Sequence, residues 1–327
     1  MTDLPFDPNG GTPPAKAPAS SSEGDPMKTL MDVPTLRERM TSGQRTVVLD
    51  VRWALGDPDG HKHYLAGHIP GAVFVDLETG LAAPPAQGLG RHPLPEPAAF
   101  EEAAREWGIN TYDTVVAYDD VGGVSAARLW WLLRDGGFDD VFLLDGGLAA
   151  WRQAGFELET GEECPSLGDV RLEPGHMPLL RLDEMEAFPG TGVLLDARAG
   201  ERYRGEKEPV DPKAGHIPGA LSAPTTENLG TGARFLPAAE LRARFRSLGV
   251  AHGKPIAVYC GSGISAAHEI AALAHAGLEA ALFPGSWSQW SQLDLPVAVG
   301  PELRGSTPAR RPASARGQDT RQCQSGG

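Results

Sequence analysis

The sequence predicts two tandem α/β domains, each a mostly parallel sheet with helices on both faces. The motif GHIPGA occurs at Gly67–Ala72 and again at Gly215–Ala220, and each copy follows a short apolar run that ends in aspartate. Other matched segments accompany both copies in the same order, and short apolar runs alternate with stretches of helical periodicity. Strands that alternate with helices are typical of a parallel sheet covered on both faces. We therefore expect a tandem duplication of one unit of roughly 125 residues.

The matched segments define the elements of each unit in order. The apolar run before GHIPGA is Val47–Asp50 in the first unit and Val193–Asp196 in the second. The next run, TVVAYD in one unit and PIAVYC in the other, ends at Asp119 and at Cys260 respectively. Apolar residues at helical spacing follow, and glycines mark the ends of these helices. A third pair, LLDGGLAAW and LFPGSWSQW, completes the correspondence.

The composition places the domain boundaries outside these segments. We predict a disordered N-terminal extension over residues 1–27, a first domain over 28–152, a linker over 153–175, a catalytic domain over 176–299 and a disordered tail over 300–327. Both ends are rich in small and polar residues, which bury too little apolar surface to fold.

Composition and charge exclude several classes of function. The 327 residues include 41 Gly and 29 Pro, are 41% hydrophobic and carry a formal net charge of −14. We do not expect so acidic a protein to bind nucleic acid or to lie on anionic membranes. No apolar run is long enough for a transmembrane helix, and the first residues lack the features of a secretory signal. The sequence therefore predicts a cytoplasmic protein.

The three cysteines form neither a disulfide framework nor a zinc motif. Cys164 lies in a polar linker and Cys323 in the tail, whereas Cys260 directly follows a buried strand and precedes a Gly/Ser-rich loop that opens a helix. Inward-turned backbone N–H groups and the helix N-terminus favour a thiolate there. A small buried hydrophobe is the alternative interpretation, but this setting favours a nucleophile. Asp119 at the equivalent position of the first unit predicts one catalytic and one supporting domain.

The repeated GHIPGA, the LDGG and GSW segments and the loop CGSGIS resemble the motifs of the two-domain rhodanese-type sulfurtransferases. This group contains thiosulfate sulfurtransferase and 3-mercaptopyruvate sulfurtransferase, and the resemblance covers about residues 28–299. It implies that the Cys260 thiolate takes a sulfane sulfur from a small anionic donor and passes it to cyanide, a thiol or a thioredoxin. It also implies that no metal or organic cofactor is needed. Backbone N–H groups of the loop would hold the persulfide, and they belong to Gly261, Gly263, Ile264 and Ser265 besides Ser262.

The resemblance also implies partners for the cysteine loop. Ser262 matches the serine of mercaptopyruvate-type enzymes, where it belongs to a Ser–His–Asp arrangement that handles the proton of the leaving enolate. His68, in the first GHIPGA, matches the histidine, and Asp59 is the best candidate for the aspartate, with Asp57 as the alternative. His216 occupies the same motif in the second unit, so a structural role for both histidines is the competing interpretation.

Arginine is expected to bind the carboxylate or sulfonate of the donor. Arg202 matches the substrate-binding arginine of the family, while we interpret Arg198 as part of a structural ion pair. The second arginine of mercaptopyruvate-type enzymes is missing, because that segment reads Pro209–Pro212 (PVDP), and Arg204 and Lys213 are the alternatives. The donor therefore stays open between 3-mercaptopyruvate, which the uncharged loop slightly favours, and thiosulfate.

Two other functions are known possibilities for a cysteine loop of this kind. A phosphatase of this fold needs an arginine at the end of its cysteine loop to clamp phosphate. The seven residues after Cys260 contain none, which argues against that activity. A non-catalytic persulfide carrier is the remaining alternative, and the intact loop together with Arg202 favours the enzyme.

Overall fold

The computed structural model describes residues 28–250 and 253–301. The predicted N-terminal extension, and the predicted tail from residue 302 onward, lie outside the described residues. Within the described ranges, nine strands form two sheets, and every strand pair in both sheets is parallel.

The first sheet has the strand order β1-β5-β4-β2-β3. Its strands are β1 (Leu30–Met31), β2 (Thr46–Asp50), β3 (Val73–Phe74), β4 (Thr114–Tyr118) and β5 (Val141–Leu144). The helices of this domain are α1 (Val33–Ser42), α2 (Gly60–Ala66), α3 (Leu77–Gly80), α4 (Pro97–Glu106), α5 (Ala126–Asp135) and α6 (Gly147–Gln153). Every residue of the central strand β4 is buried, which explains its continuous apolar sequence.

The second sheet has the strand order β7-β6-β8-β9, which matches the order β3-β2-β4-β5 of the first. Its strands are β6 (Val193–Asp196), β7 (Leu221–Ser222), β8 (Ile256–Tyr259) and β9 (Ala281–Leu282). The helices are α7 (Leu182–Met185), α8 (Gly200–Tyr203), α9 (Ala238–Ser247), α10 (Ile264–His275) and α11 (Ser286–Trp290), with 3-10 turns at Phe188–Gly190, Thr225–Asn228 and Thr231–Ala233. A single parallel bridge from Leu179 to β9 stands where β1 pairs with β5 in the first domain.

Helices cover both faces of each sheet, so the predicted fold class is confirmed. Trp151 of α6 packs with α1 on one face of the first sheet, and Trp287 of α11 packs with α8 on one face of the second. The other two faces share one apolar core, in which α5 of the first domain packs against α10 of the second. This packing brings the loops after β4 and β8 to the interface between the domains.

Candidate active site

Cys260 lies at the carboxyl end of β8, and α10 begins four residues later at Ile264. The thiol is 2% exposed, and its Sγ accepts a hydrogen bond from the backbone N–H of Gly263 at 3.1 Å. Gly263 has a φ of 86°, and a Cβ there would stand 2.7 Å from the carbonyl oxygen of Pro284, so only glycine fits. Ser265 lies in the first turn of α10. The loop thus presents the backbone N–H of Gly263 and the N-terminus of α10 to the sulfur, an arrangement that stabilises negative charge.

The equivalent loop of the first domain already holds an anion-forming group. The carboxylate of Asp119 accepts hydrogen bonds from the backbone N–H groups of Val121, Gly123, Ser125 and Ala126, at 2.7–3.0 Å. Burial raises the pKa of Asp119, and these four bonds oppose that rise because they favour the charged form. Four converging donors on one side chain mark this loop conformation as an anion-binding one.

Ser262 is hydrogen-bonded to a histidine that the sequence reasoning did not identify. The Oγ of Ser262 lies 2.7 Å from Nδ1 of His92, and Nε2 of His92 lies 3.2 Å from Oε1 of Glu78. A carboxylate only accepts hydrogen bonds, so Nε2 carries the proton and Nδ1 accepts from the serine hydroxyl. Burial lowers the pKa of His92, although Glu78 opposes the shift, and the ring is therefore neutral at pH 7. Trp53 packs edge-on against the His92 ring and donates its indole N–H to Glu78.

The structure does not bring His68 or Asp59 to Ser262, which corrects the pairing expected from the motif. His68 is fully buried, stacks on the ring of Tyr64 at 4.2 Å and bonds through Nδ1 to the Tyr64 carbonyl oxygen. His216 stacks on Tyr203 and bonds to its carbonyl oxygen in the same way. The histidine of GHIPGA therefore fastens the turn to the preceding helix in both domains.

The two aspartates weighed for the relay lie on the surface. The carboxylate of Asp59 is 53% exposed and lies 3.8 Å from Nζ of Lys62. Asp57 is hydrogen-bonded to the ring of His63 at 3.1 Å. Neither carboxylate contacts Ser262, and Glu78 takes the acidic position instead.

A sequence signal for His92 did exist. The segment HPLP at His92–Pro95 corresponds to RFLP at Arg234–Pro237 in the second unit, so histidine is present in only one copy. Cys260 likewise occurs in only one repeat, with Asp119 at the equivalent position of the other. His68 fails this criterion because His216 duplicates it.

Arg202, which the resemblance identifies as a substrate-binding residue, lies beside the cysteine loop. A Cβ on Gly261 would stand 3.4 Å from Nη1 of Arg202. The guanidinium donates to Glu208 at 2.6 Å and to Asp211 at 3.0 Å. Arg91 of the first domain reaches the same side of Gly261 and was also missed by the sequence reasoning.

The other cationic candidates have other contacts. Arg204 is bonded to Glu206, and the ammonium of Lys213 donates to the carbonyl oxygen of Leu293. Arg198 forms the predicted ion pair, with Nη2 lying 2.7 Å from Oδ2 of Asp196.

Arg128 is a buried cation between the two domains. Its guanidinium donates to the carbonyl oxygens of Gly263, at 3.4 Å, and of His92, at 3.1 Å, so it ties the cysteine loop to the segment that carries the histidine. Burial lowers the pKa of Arg128 to about 10, and the negative charge available at Cys260 opposes this shift. Arg128 therefore places a buried positive charge beside the cysteine loop.

Within the described ranges, one group of side chains has a spacing that suits a metal ion: His68, Glu159 and Glu163, whose ligand atoms lie within 4.8 Å of one another. Glu159 already accepts a hydrogen bond from the backbone N–H of Gly71, so this group lies at the GHIPGA turn and not at the cysteine loop.

No described helix has the length and apolar character needed to cross a membrane.

Comparisons with known proteins agree with this architecture. The Rhodanese-like domain family matches residues 32–154 and 181–293. A putative thiosulfate sulfurtransferase, SseB of Mycobacterium tuberculosis, is 46% identical over 267 residues, which cover 81% of this chain and 94% of that protein. A probable 3-mercaptopyruvate sulfurtransferase of Pseudomonas aeruginosa is 48% identical over 264 residues, covering 78% and 92%. The crystal structure of SseA from Escherichia coli, a 3-mercaptopyruvate sulfotransferase, superposes with a TM-score of 0.71 at 33% identity over 80% of this chain and 100% of that one.

Proposed function

The chain belongs to the two-domain rhodanese-type sulfurtransferases, and on that premise we propose that it moves a sulfane sulfur from 3-mercaptopyruvate or thiosulfate to a thiophilic acceptor. The sulfur is carried as a persulfide on Cys260. The observation that supports this most strongly is the position of Sγ, which accepts the Gly263 N–H at the N-terminus of α10.

The first step forms a bond between Sγ of Cys260 and the sulfane sulfur of the donor. The donor's own bond to that sulfur breaks, and its electron pair leaves with the enolate of pyruvate or with sulfite. The cysteine persulfide that remains is anionic, and the loop amides and helix N-terminus stabilise it without reorganisation. In the second step the acceptor attacks the outer sulfur and regenerates the thiolate, which is covalent catalysis of the ping-pong type.

The two donors differ in their need for proton transfer. 3-Mercaptopyruvate brings a thiol proton that has to reach the enolate carbon before pyruvate leaves, whereas thiosulfate releases sulfite and brings no such proton. Ser262 and His92 are placed for this transfer, because the neutral imidazole accepts from the serine hydroxyl and Glu78 holds the ring. The relay and the uncharged loop together favour 3-mercaptopyruvate as the donor. A thiosulfate-preferring enzyme and a non-catalytic persulfide carrier are the alternatives.

The acceptor is a nucleophile toward sulfur, such as cyanide, a small thiol or a reduced thioredoxin. Because the cysteine itself is the nucleophile, the reaction requires no metal or organic cofactor. We place the enzyme in the cytoplasm, where thiols stay reduced, since Cys164 and Cys260 are both free cysteines. The net charge of −14 disfavours nucleic acid as a partner.

Steady-state assays with each donor and cyanide test this proposal. We expect thiocyanate from both donors, a higher kcat/KM for 3-mercaptopyruvate, and no activity in Cys260→Ser. If neither donor gives thiocyanate above the level of Cys260→Ser, the enzyme assignment fails. A higher kcat/KM for thiosulfate would instead support the thiosulfate-preferring alternative.

A further inference from the structure

Two guanidinium groups from different domains converge on one side of the cysteine loop. A Cβ on Gly261 would stand 3.1 Å from Nη2 of Arg91 and 3.4 Å from Nη1 of Arg202. Asp211 lies between them, with one carboxylate oxygen paired to Arg91 and the other 3.0 Å from Nη2 of Arg202. The site therefore contains a carboxylate held by two arginines immediately beside the residue that follows the nucleophile.

The position of Arg91 is fixed by the second domain. Its backbone N–H donates to Oγ of Ser288 at 3.1 Å. The preceding residue, Gly90, has a φ of 90°, and a Cβ on it would stand 2.7 Å from the same Oγ, so the segment lies tightly against α11. The next residue is His92, which bonds to Ser262. One short segment of the first domain thus delivers both a cation and the relay histidine.

Arg91 also has an unused hydrogen-bond donor. Its Nε is buried and has no hydrogen-bond partner among the described residues. A buried N–H of a charged group without a partner is costly, and a ligand oxygen would remove that cost. Arginine suits such a ligand because its planar fork can bind both oxygens of a carboxylate or sulfonate.

We propose that Arg91 is a second donor-binding residue, which clamps the anionic group of the sulfur donor together with Arg202. Asp211 holds the two guanidinium groups apart and oriented until the donor's anion takes its place. The clamp requires both domains, which gives the domain without a thiol a direct part in substrate binding. This inference rests on the proposed function for the identity of the donor, but the recognition of an anion can be tested without sulfur transfer.

The test compares two reagents that alkylate Cys260, the anion iodoacetate and the neutral iodoacetamide, in a background where Cys164 and Cys323 are serine. In Arg91→Gln we expect the iodoacetate rate to fall about 10-fold while the iodoacetamide rate changes less than about 2-fold. Arg171→Gln is the matched control, because its side chain is 73% exposed and it removes the same charge from the surface of the linker, where it pairs with Glu101. An unchanged ratio of the two rates in Arg91→Gln would overturn the proposal.

A second variant protects the test against a folding defect in the first. Asp211→Asn removes the carboxylate charge shared by Arg91 and Arg202, although Glu208 still pairs with Arg202, so the ratio of the iodoacetate rate to the iodoacetamide rate should rise, and a fall would contradict the clamp.

With the natural donors, Arg91→Gln should raise KM about 10-fold and leave kcat within about 2-fold, and Arg91→Lys should recover part of the loss. If the wild type transfers sulfur but Arg91→Gln leaves the ratio of the two alkylation rates unchanged, the clamp is wrong and the proposed function stands. If the ratio responds but no donor is turned over, the clamp stands and the function is wrong.

Discussion

Asp119 and Cys260 occupy equivalent positions in the two domains. Each directly follows the central strand of its sheet, β4 or β8, and each precedes a loop with a left-handed glycine, Gly122 or Gly263, before the next helix. Asp119 places a carboxyl group among converging amides, and Cys260 places a sulfur there. The loop that follows the central strand therefore has an anion-binding conformation in both domains. In the first domain the carboxylate of Asp119 occupies it, and in the second domain the sulfur of Cys260 does.

The first prediction concerns the stability of the filled loop. Asp119→Ala removes the acceptor of four backbone N–H groups, three of them in buried hydrogen bonds, so we expect the free energy of unfolding to fall by about 3 kcal/mol. Urea denaturation measures the change, and Asp120→Ala, at an exposed neighbour, is the control. Equal effects of the two substitutions would show that the loop does not depend on the carboxylate.

The second prediction separates the two donors. Ser262→Ala should lower kcat with 3-mercaptopyruvate roughly 100-fold, because the thiol proton loses its path to the enolate. With thiosulfate the effect should be much smaller, since sulfite leaves without a proton. Parallel assays with each donor give the comparison, and an equal loss with both would remove Ser262 and His92 from proton transfer.

The third prediction distinguishes His92 from His68. His92→Gln should reduce kcat with 3-mercaptopyruvate because the imidazole is lost from Ser262. His68→Gln should leave kcat within about 2-fold and instead cost about 2 kcal/mol of stability, because the stack on Tyr64 and the buried turn are weakened. Kinetics and denaturation of both variants check this. A His68→Gln variant that stays stable and loses activity would reverse the assignment.

The fourth prediction concerns pH and the domain interface. His268 of α10 bonds to Thr225 at 2.6 Å and to the carbonyl oxygen of Gly122 in the other domain at 3.1 Å. Burial lowers the pKa of His268 to about 4, from its usual 6.5. Between these two values the unfolded chain binds a proton that the folded protein does not. Stability should therefore be complete above pH 6.5 and fall as the pH drops toward 4, by about 3 kcal/mol for this residue.

Denaturant unfolding at pH 7.5 and at pH 4.5 tests this contribution. His268→Gln, which retains a polar amide but does not titrate, should show a smaller loss between the two pH values. The loss will not vanish, because burial also lowers the pKa of His92 and of His275. An identical pH dependence in wild type and variant would contradict the assignment to His268.

The fold could be predicted from the sequence, and Cys260 could be proposed as the nucleophile, because both depend on local patterns repeated in one chain. Strand and helix periodicity, together with two copies of GHIPGA, indicate the duplicated unit. Cys260 stood out because its counterpart is Asp119. These signals need no knowledge of how the two domains pack.

The partners of the cysteine were harder to predict because they come from the other domain. Arg91 and His92 lie in a segment without regular structure, and they reach Gly261 and Ser262 only because α5 packs against α10. His68 lies in the GHIPGA motif, whose histidine stabilises a turn and does not contact Ser262. Residue asymmetry between the repeats, which separates His92 from Arg234, was the better guide.

The intact mass of the protein after exposure to a donor shows whether sulfur is carried on Cys260. We expect a gain of one sulfur atom with 3-mercaptopyruvate or thiosulfate, loss of that gain when cyanide is added, and the same behaviour in Cys164→Ser. Cys260→Ser should gain nothing. If the protein turns over donor without a mass gain, or if the gain persists in Cys260→Ser, sulfur is not carried on Cys260.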